Sequence, residues 1–192
     1  MFLGLFVIKF DAELIKDISF LRNDFLDNFF IVVTFVSSEI IIFFILTALF
    51  LWREHKRRWI FPLWSSLGIS AIVGFVLKVF IQRLRPFQLG IVELIPKLQE
   101  SSYSIWNFSF PSFQSMLAFC AIPIIDAQFP KLKKFWISFA LLISFSRIYF
   151  GVHFVSDIIF GGVIGYLIGT VVVKLEKENS FGKKIYENIF RK

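Results

Sequence analysis

The sequence predicts an all-α membrane protein: a polytopic transmembrane helix bundle of about five spans, with an amphipathic helix at its N-terminus. Two observations predict this class. Hydrophobic residues make up 57% of the 192-residue chain and charged residues only 18%, whereas a soluble domain of this length needs far more polar surface. The apolar runs have the length of membrane helices, which satisfy their own backbone hydrogen bonds within lipid. We expect a single domain over residues 1–192.

The segment Lys9–Asp27 comes before the first long apolar run. Leu14, Ile18, Leu21 and Phe25 fall on one face of a helix in this segment. An amphipathic pattern of this kind is typical of a helix that lies along the membrane surface. We therefore predict one interfacial helix here.

Five apolar segments follow, each near the roughly 20 residues that span about 30 Å of hydrocarbon. We place them at Asp27–Trp52, Trp59–Gln82, Phe110–Phe129, Phe135–Phe150 and Phe154–Lys174. Glu39 falls near the middle of the first span, where we expect its side chain to be buried. Gly161, Gly165 and Gly169 recur every four residues in the fifth span. This spacing predicts close helix packing within the bundle, with a dimer interface as the alternative, so we expect a monomer or a weak homodimer.

The net charge of +7 would suit a nucleic-acid partner, but the positions of the basic residues argue against one. They cluster within residues 53–58, 131–134 and 174–192, between and after the apolar segments. Basic runs in short loops mark the cytoplasmic side of a membrane protein. In a five-span protein these three clusters share one side, so we expect the C-terminus to be cytoplasmic.

Two polar clusters lie near the ends of the predicted spans. Lys78 and Arg85 are seven residues apart, about two helical turns, so we expect them on one helix face. Pro86 ends that helix and favours extended backbone at Arg85. Pro111 and Ser112 begin the third span, and the N–H groups of a helix start suit an anion such as phosphate.

A third cluster occupies the stretch SRIYFGVHFVSD, from Ser146 to Asp157. Arg147, His153 and Asp157 are ionisable groups at membrane depth, which by default indicate a functional site. His153 and Asp157 are four residues apart. On a helix, the carboxylate would therefore hold one imidazole nitrogen and leave the other available.

The predicted topology brings these three clusters to the extracytoplasmic side. Cationic side chains neutralise phosphoryl oxygens, helix-terminal amides bind them, and a histidine attacks phosphorus. The sequence has no nearby Asp/Glu cluster with the character of a Mg²⁺ site. We therefore expect phosphoryl chemistry without a metal ion or other cofactor.

These residues resemble the type 2 phosphatidic acid phosphatases, membrane lipid phosphatases related to vanadium haloperoxidases. The family signature is Lys-x6-Arg-Pro, then Pro-Ser-Gly-His, then Ser-Arg-x3-Gly-x-His-x3-Asp. The first and third motifs are complete, at Lys78, Arg85, Pro86, Ser146, Arg147, Gly151, His153 and Asp157. The resemblance implies that His153 is the nucleophile of a phosphohistidine intermediate and that Asp157 orients it. The phosphate ligands that it implies are Lys78, Arg85, Ser112, Phe113 (through its backbone N–H) and Arg147.

The second motif departs from the family, since it reads Pro111-Ser112-Phe113-Gln114. In the family the histidine at the position of Gln114 is the general acid that protonates the leaving oxygen, and an amide has no proton to give. General acid catalysis is typically worth about 10²–10⁴-fold in rate. Three explanations stay open: a substitution introduced to trap substrate, a natural enzyme whose leaving group needs little protonation, or a relative that binds phospholipid without turnover.

The resemblance implies a multi-pass lipid phosphatase of the bacterial inner (cytoplasmic) membrane, with its site facing the periplasm or exterior. Its partners would be the bilayer and a phosphorylated lipid: lipid A 1-phosphate, undecaprenyl pyrophosphate or phosphatidylglycerol phosphate. A catalytically disabled or non-catalytic lipid-binding protein, or a lipid phosphotransferase, is the alternative. The segment Gly90–Asn107 is predicted to form a lid over the headgroup.

Overall fold

The computed structural model describes residues 2–95 and 108–190, and these residues form helices and turns without any strand. The helices are α1 Phe2–Ser19, α2 Asp24–Val36, α3 Glu39–Trp52, α4 Ile60–Ile81, α5 Phe113–Gln128, α6 Lys133–Tyr149, α7 Val155–Asn179 and α8 Phe181–Phe190, with 3-10 turns at Glu54–Trp59 and Pro130–Leu132. The all-helical prediction is confirmed for these residues. Most of the predicted lid lies outside the described residues.

Helix length and composition give fewer membrane spans than the five that the sequence pattern predicts. Among the described residues, Glu54–Ile81 and Val155–Asn179 are long and apolar enough to cross a bilayer, and α2 with α3 makes a third if the bent pair is one span. Helix α5 has 16 residues, or about 24 Å at 1.5 Å per residue, which is short of the hydrocarbon thickness. The described helices thus give two or three spans, and five spans stays a prediction.

The first predicted span is broken rather than continuous, because α2 and α3 meet at an angle of 60°. The Ser37 hydroxyl donates to the carbonyl of Thr34 at 3.2 Å, and Ser38 adopts extended backbone before α3 begins. Serine side chains that bond to local backbone compete with helix continuation. Glu39 consequently starts a helix and is exposed on the protein surface, so the expectation that it is buried was wrong.

The N-terminal segment is two helices where the sequence analysis predicted one. Asn23 caps α2, since its side chain accepts the N–H of Leu26 at 3.0 Å, and asparagine is a favoured residue at this position. The inward face of α1 includes Asp11 and Ile15, both buried, whereas Phe25 is exposed. Ile15 packs against the start of α7, so α1 is seated on the bundle.

Helices α5 and α7 form the closest pair in the bundle, through the three glycines spaced four residues apart. A Cβ at Gly161 would lie 2.7 Å from the carbonyl oxygen of Ser112, and one at Gly165 would overlap the carbonyl oxygen of Met116. Glycine at these positions lets the two backbones touch. The prediction that these glycines pack within the bundle is confirmed, and the oligomeric state stays a prediction.

The three basic segments gather at one end of the bundle. The Lys56 ammonium lies 4.1 Å from the ring centroid of Phe129, at the end of α5. The buried carboxylate of Glu176, near the end of α7, accepts the N–H of Gly182 at 2.7 Å and so anchors α8 beside them. The start of α7, with Asp157, is at the opposite end.

The glycine contacts predict a difference between two Gly→Ala variants. Gly165→Ala should lower the free energy of unfolding by about 1–3 kcal/mol, because its methyl group overpacks against the backbone of α5. The matched control is Gly68→Ala in α4, where no atom lies within 4 Å of the added Cβ, and alanine there should raise stability by up to about 1 kcal/mol. Denaturant unfolding in detergent measures both, and equal stabilities would contradict the packing described here.

Candidate active site

Lys78 and Arg85 reach the site from different elements: Lys78 from a helix and Arg85 from the loop after it. Helix α4 ends at Ile81 because Gln82 adopts the left-handed conformation, with φ of 51°, so Arg85 lies in the loop beyond it. Buried Lys78 donates to the carbonyl of Phe108 at 2.6 Å. Arg85 Nη1 donates to the carbonyl of Val152 at 3.1 Å, which places it beside His153. The expectation of a shared helix face was wrong. Both cations nevertheless lie near His153, since the positive charge of each lowers its pKa.

The junction between α6 and α7 places His153. The chain turns at Gly151, with φ of 66°, where an added Cβ would overlap the side chain of Val92, so this position favours glycine. His153 therefore lies in the turn before α7, which begins at Val155, and the expected helical His–Asp pair is a turn–helix pair. His153 Nδ1 lies 3.7 Å from the Oδ2 atom of Asp157.

Asp157 is completely buried in the first turn of α7 and is surrounded by donors. Its Oδ2 accepts the N–H of Phe154 at 2.8 Å and the hydroxyl of Ser109. Its Oδ1 accepts from Nη1 of Arg83 at 2.7 Å. The Ser109 hydroxyl also lies 3.5 Å from Nδ1 of His153. Hydrogen bonds to an ionised carboxylate are among the strong ones, so the carboxylate has a fixed orientation next to the imidazole.

Ser112 directly precedes α5 and contacts the backbone of Asp157 at the start of α7. Its N–H donates to the main-chain carbonyl of Asp157 at 3.1 Å, and its side chain makes no helix-capping hydrogen bond. Its buried hydroxyl accepts from Ser115 at 3.2 Å. Since the amide is already engaged, the hydroxyl is the group of Ser112 that suits a phosphate oxygen.

The next two positions of the second motif differ in where their side chains lie. The Phe113 ring packs on α4, within 3.0 Å of where a Cβ on Gly74 would be, so only its backbone can serve the site. Gln114 is 8% exposed and lies in the first turn of α5. It therefore occupies a buried position at the start of the same helix as Ser112, with a side chain that carries no titratable proton.

Arg147 is 2% exposed near the end of α6. Its Nε donates to Ser146 Oγ at 3.2 Å, and its Nη2 donates to the hydroxyl of Thr34 in α2. Its carbonyl accepts the N–H of Val152 at 3.1 Å. Helix α2 thus braces a buried cation that adjoins the turn carrying His153.

The surroundings of His153 keep the imidazole neutral. Burial, together with the positive charges of Arg85 and Lys78, lowers the pKa of His153 to about 3, and Asp157 opposes this shift. A histidine whose folded pKa is depressed stays unprotonated well below pH 6.5. A neutral imidazole retains the lone pair that nucleophilic attack requires.

Three residues at this site were missed by the sequence analysis: Arg83, Ser109 and Asp11. Arg83 lies within the first motif and Ser109 just before the second, so their positions in the sequence could have identified both. No sequence pattern indicates Asp11, because it bonds Ser156, which is 145 residues away in the chain. Within residues 2–95 and 108–190, no group of three His, Cys, Asp or Glu side chains could hold a metal ion.

The sequence profile of the PAP2 superfamily matches residues 59–181, which contain all three motifs. The chain belongs to the PAP2 superfamily. The resemblance found in the sequence is thereby confirmed at the level of the family.

Two PAP2 relatives have names that describe lipid substrates. Phosphatidylglycerophosphatase B of Bacillus subtilis (strain 168) is 37% identical over 112 residues, 53% of this chain and 50% of that protein. This match therefore spans half of the relative's length. Undecaprenyl-diphosphatase of Sulfolobus acidocaldarius is 27% identical over 179 residues, 92% of this chain and 83% of that protein.

Two solved structures share the fold. A transmembrane PAP2-type phosphatidylglycerolphosphate phosphatase from Bacillus subtilis superposes with a TM-score of 0.72 at 24% identity, covering 90% of this chain and 87% of that one. Aquifex aeolicus LpxE superposes with a TM-score of 0.68 at 28% identity, covering 84% and 93%. The fold of these structures thus extends over most of the chain.

The electrostatics predict that His153 stays neutral between pH 8 and pH 5. The measurement is ¹⁵N NMR of imidazole nitrogens in a His55→Gln variant, which leaves His153 as the only histidine. The same chain unfolded in denaturant is the control, since its imidazole should titrate near the ordinary value of about 6.5. A folded-state titration midpoint close to 6.5 would contradict the described surroundings.

Proposed function

We propose that this PAP2 protein removes a phosphate from the headgroup of a membrane lipid through a phosphohistidine on His153. The observation that carries the proposal is a buried neutral imidazole next to a fixed carboxylate, Asp157, and two cations, Lys78 and Arg85. The named relatives, which are lipid phosphatases, support the same class of reaction.

The proposed first step is attack on phosphorus by Nε2 of His153, since Nδ1 faces Asp157 and Ser109. The N–P bond forms as the bond from phosphorus to the bridging oxygen breaks, and that oxygen leaves with the electron pair. Three side chains, Lys78, Arg85 and Arg147, would neutralise the transferring phosphoryl oxygens. Water then attacks the phosphohistidine, which releases inorganic phosphate and restores the neutral imidazole.

Position 114 favours a lipid diphosphate as the substrate. A phosphate monoester of an alcohol leaves as an alkoxide, which needs the proton that Gln114 lacks. A diphosphate releases a lipid monophosphate, which carries its own negative charge without protonation. Undecaprenyl pyrophosphate therefore suits the site better than phosphatidylglycerol phosphate, and lipid A 1-phosphate is the third candidate.

We place the site on the extracytoplasmic side of a bacterial cytoplasmic membrane. The basis is the separation of the two ends of the bundle: the basic segments gather at one end and Asp157 lies at the other. Since basic segments favour the cytoplasm, the phosphate site would face the periplasm or exterior and the C-terminus the cytoplasm.

A non-catalytic phospholipid-binding protein is the second candidate, and Gln114 is the observation that favours it. Such a protein would keep the cations for binding and have no use for a neutral, oriented imidazole. A phosphotransferase would instead pass the phosphoryl group from His153 to a second lipid. A phosphorylated lipid acceptor among the products would identify that activity.

The substrate proposal predicts the outcome of a phosphate-release assay in detergent. The panel is undecaprenyl pyrophosphate, lipid A and phosphatidylglycerol phosphate, with the chain as given and its Gln114→His variant in parallel. We expect the chain as given to cleave the diphosphate, and the variant to gain about 10²–10⁴-fold on phosphatidylglycerol phosphate. Gln128→His, at the far end of the same helix, is the matched control and should gain nothing.

His153→Ala should abolish phosphate release in the same assay, whereas His55→Ala should leave it unchanged. Survival of activity in His153→Ala would remove the nucleophile assignment. If only the Gln114→His variant turns over, Gln114 disables the enzyme. If neither form turns over any lipid yet both bind them, the binding function replaces the enzymatic one.

The proposed mechanism uses side-chain cations in place of a metal ion, which predicts indifference to chelators. Phosphate release should keep its rate after dialysis against EDTA, with no gain on adding Mg²⁺. The control is a Mg²⁺-dependent phosphatase treated identically, which should lose activity. A strict requirement for Mg²⁺ would contradict the mechanism.

A further inference from the structure

Helix α1 is joined to the active site by a pair of oppositely charged side chains, Asp11 and Arg83. We propose that these are positioning residues that fix the carboxylate of Asp157 and, through it, the imidazole of His153. The N-terminal helix is then part of the catalytic apparatus as well as a surface element. This inference rests on the proposed function and extends it to residues outside the three motifs.

The guanidinium of Arg83 bridges two carboxylates. Its Nη1 donates to Asp157 Oδ1 at 2.7 Å and to Ser156 Oγ at 2.6 Å, and its Nη2 donates to Asp11 Oδ2 at 2.9 Å. Its planar face stacks on the ring of Phe154, with Cζ 3.9 Å from the ring centroid. A rigid guanidinium fork held on both sides and over one face has little freedom to move.

Asp11 is buried, at 3% exposure, although Asp17 on the same helix is exposed. Its Oδ1 accepts the N–H of Ser156 at 3.2 Å, and its Oδ2 accepts the Ser156 hydroxyl as well as Arg83. A buried carboxylate is costly unless donors satisfy it. These contacts therefore fix α1 in one position relative to the first turn of α7.

The two carboxylate oxygens of Asp157 contact different groups, and this bears on catalysis. Arg83 holds Oδ1, so that Oδ2 faces Ser109 and Nδ1 of His153. Without Arg83 the carboxylate keeps only the donors on Oδ2, Phe154 N–H and Ser109, so its position 3.7 Å from Nδ1 is less closely fixed. The preference for the tautomer with the lone pair on Nε2 would then weaken. The change leaves the charges of the proposed phosphate ligands Lys78, Arg85 and Arg147 in place.

The first test reads the tautomer of His153 directly, without turnover. Full-length His55→Gln protein with ¹⁵N-labelled histidine is compared with the same protein carrying Asp11→Asn, Arg83→Gln or Arg83→Lys. We expect the Nδ1–H tautomer in the parent and a mixture of tautomers in Asp11→Asn and Arg83→Gln. Arg83→Lys, which keeps the charge, should be intermediate. Asp17→Asn, the same change at an exposed position of α1, is the matched control and should match the parent.

The second test separates kcat from KM in the lipid assay. Arg83→Gln should lower kcat by about 10- to 100-fold, the effect of losing hydrogen bonds to a charged group, with KM unchanged. Asp11→Asn should lower kcat less. The double variant Asp11→Asn/Arg83→Gln should be no slower than Arg83→Gln alone, because the two residues act in series.

An unchanged tautomer in both Asp11→Asn and Arg83→Gln would overturn the positioning role. A variant in which kcat and the affinity for inorganic phosphate, measured by calorimetry, both fall would also overturn it. Such a joint loss would indicate general unfolding of the protein. If Arg83→Gln fails to fold, the isosteric Asp11→Asn and the charge-retaining Arg83→Lys decide the question. A parent chain without turnover on any lipid would defeat the proposed function, while the tautomer measurement would still decide this inference.

Discussion

The Asp157 carboxylate is buried out of contact with solvent, and a charge in such a place is stable only if donors surround it. The donors come from three separate parts of the chain: Arg83 beyond α4, Ser109 before α5 and the N–H of Phe154 before α7. Satisfying one buried charge therefore requires all three parts to meet. The position of His153 follows, because its ring lies beside the carboxylate that they hold.

The close approach of α5 and α7 allows the segments that surround Asp157 to come together. Gly161 lets the backbone of α7 touch the carbonyl of Ser112, and the Ser112 N–H bonds back to the Asp157 carbonyl. The two helix N-termini are thereby fixed side by side. A partial positive charge from each helix start then adds to the side-chain cations at one place, which suits a group with several negative oxygens.

Charge and protonation at the site are divided between residues. Burial and nearby cations keep His153 neutral, and in the proposed mechanism the same cations would stabilise a phosphoryl group. Gln114 occupies the position at which the resemblance implies a proton donor, so the proposed mechanism has no general acid. A substrate whose leaving group is already stable as an anion needs no general acid. The residue at position 114 therefore bears on which lipid is the substrate.

The sequence by itself determined the helical class, the glycine packing and the residues of the first and third motifs, because hydrophobic runs and short motif spacings are local properties. It did not determine the bend at Ser37–Ser38, the turn that takes His153 off α7, or the contacts of Arg83 and Ser109 with Asp157. No sequence pattern indicated that Asp11 lies at the site. These features depend on which distant segments a buried charge and a close helix pair bring together, and only tertiary packing sets that.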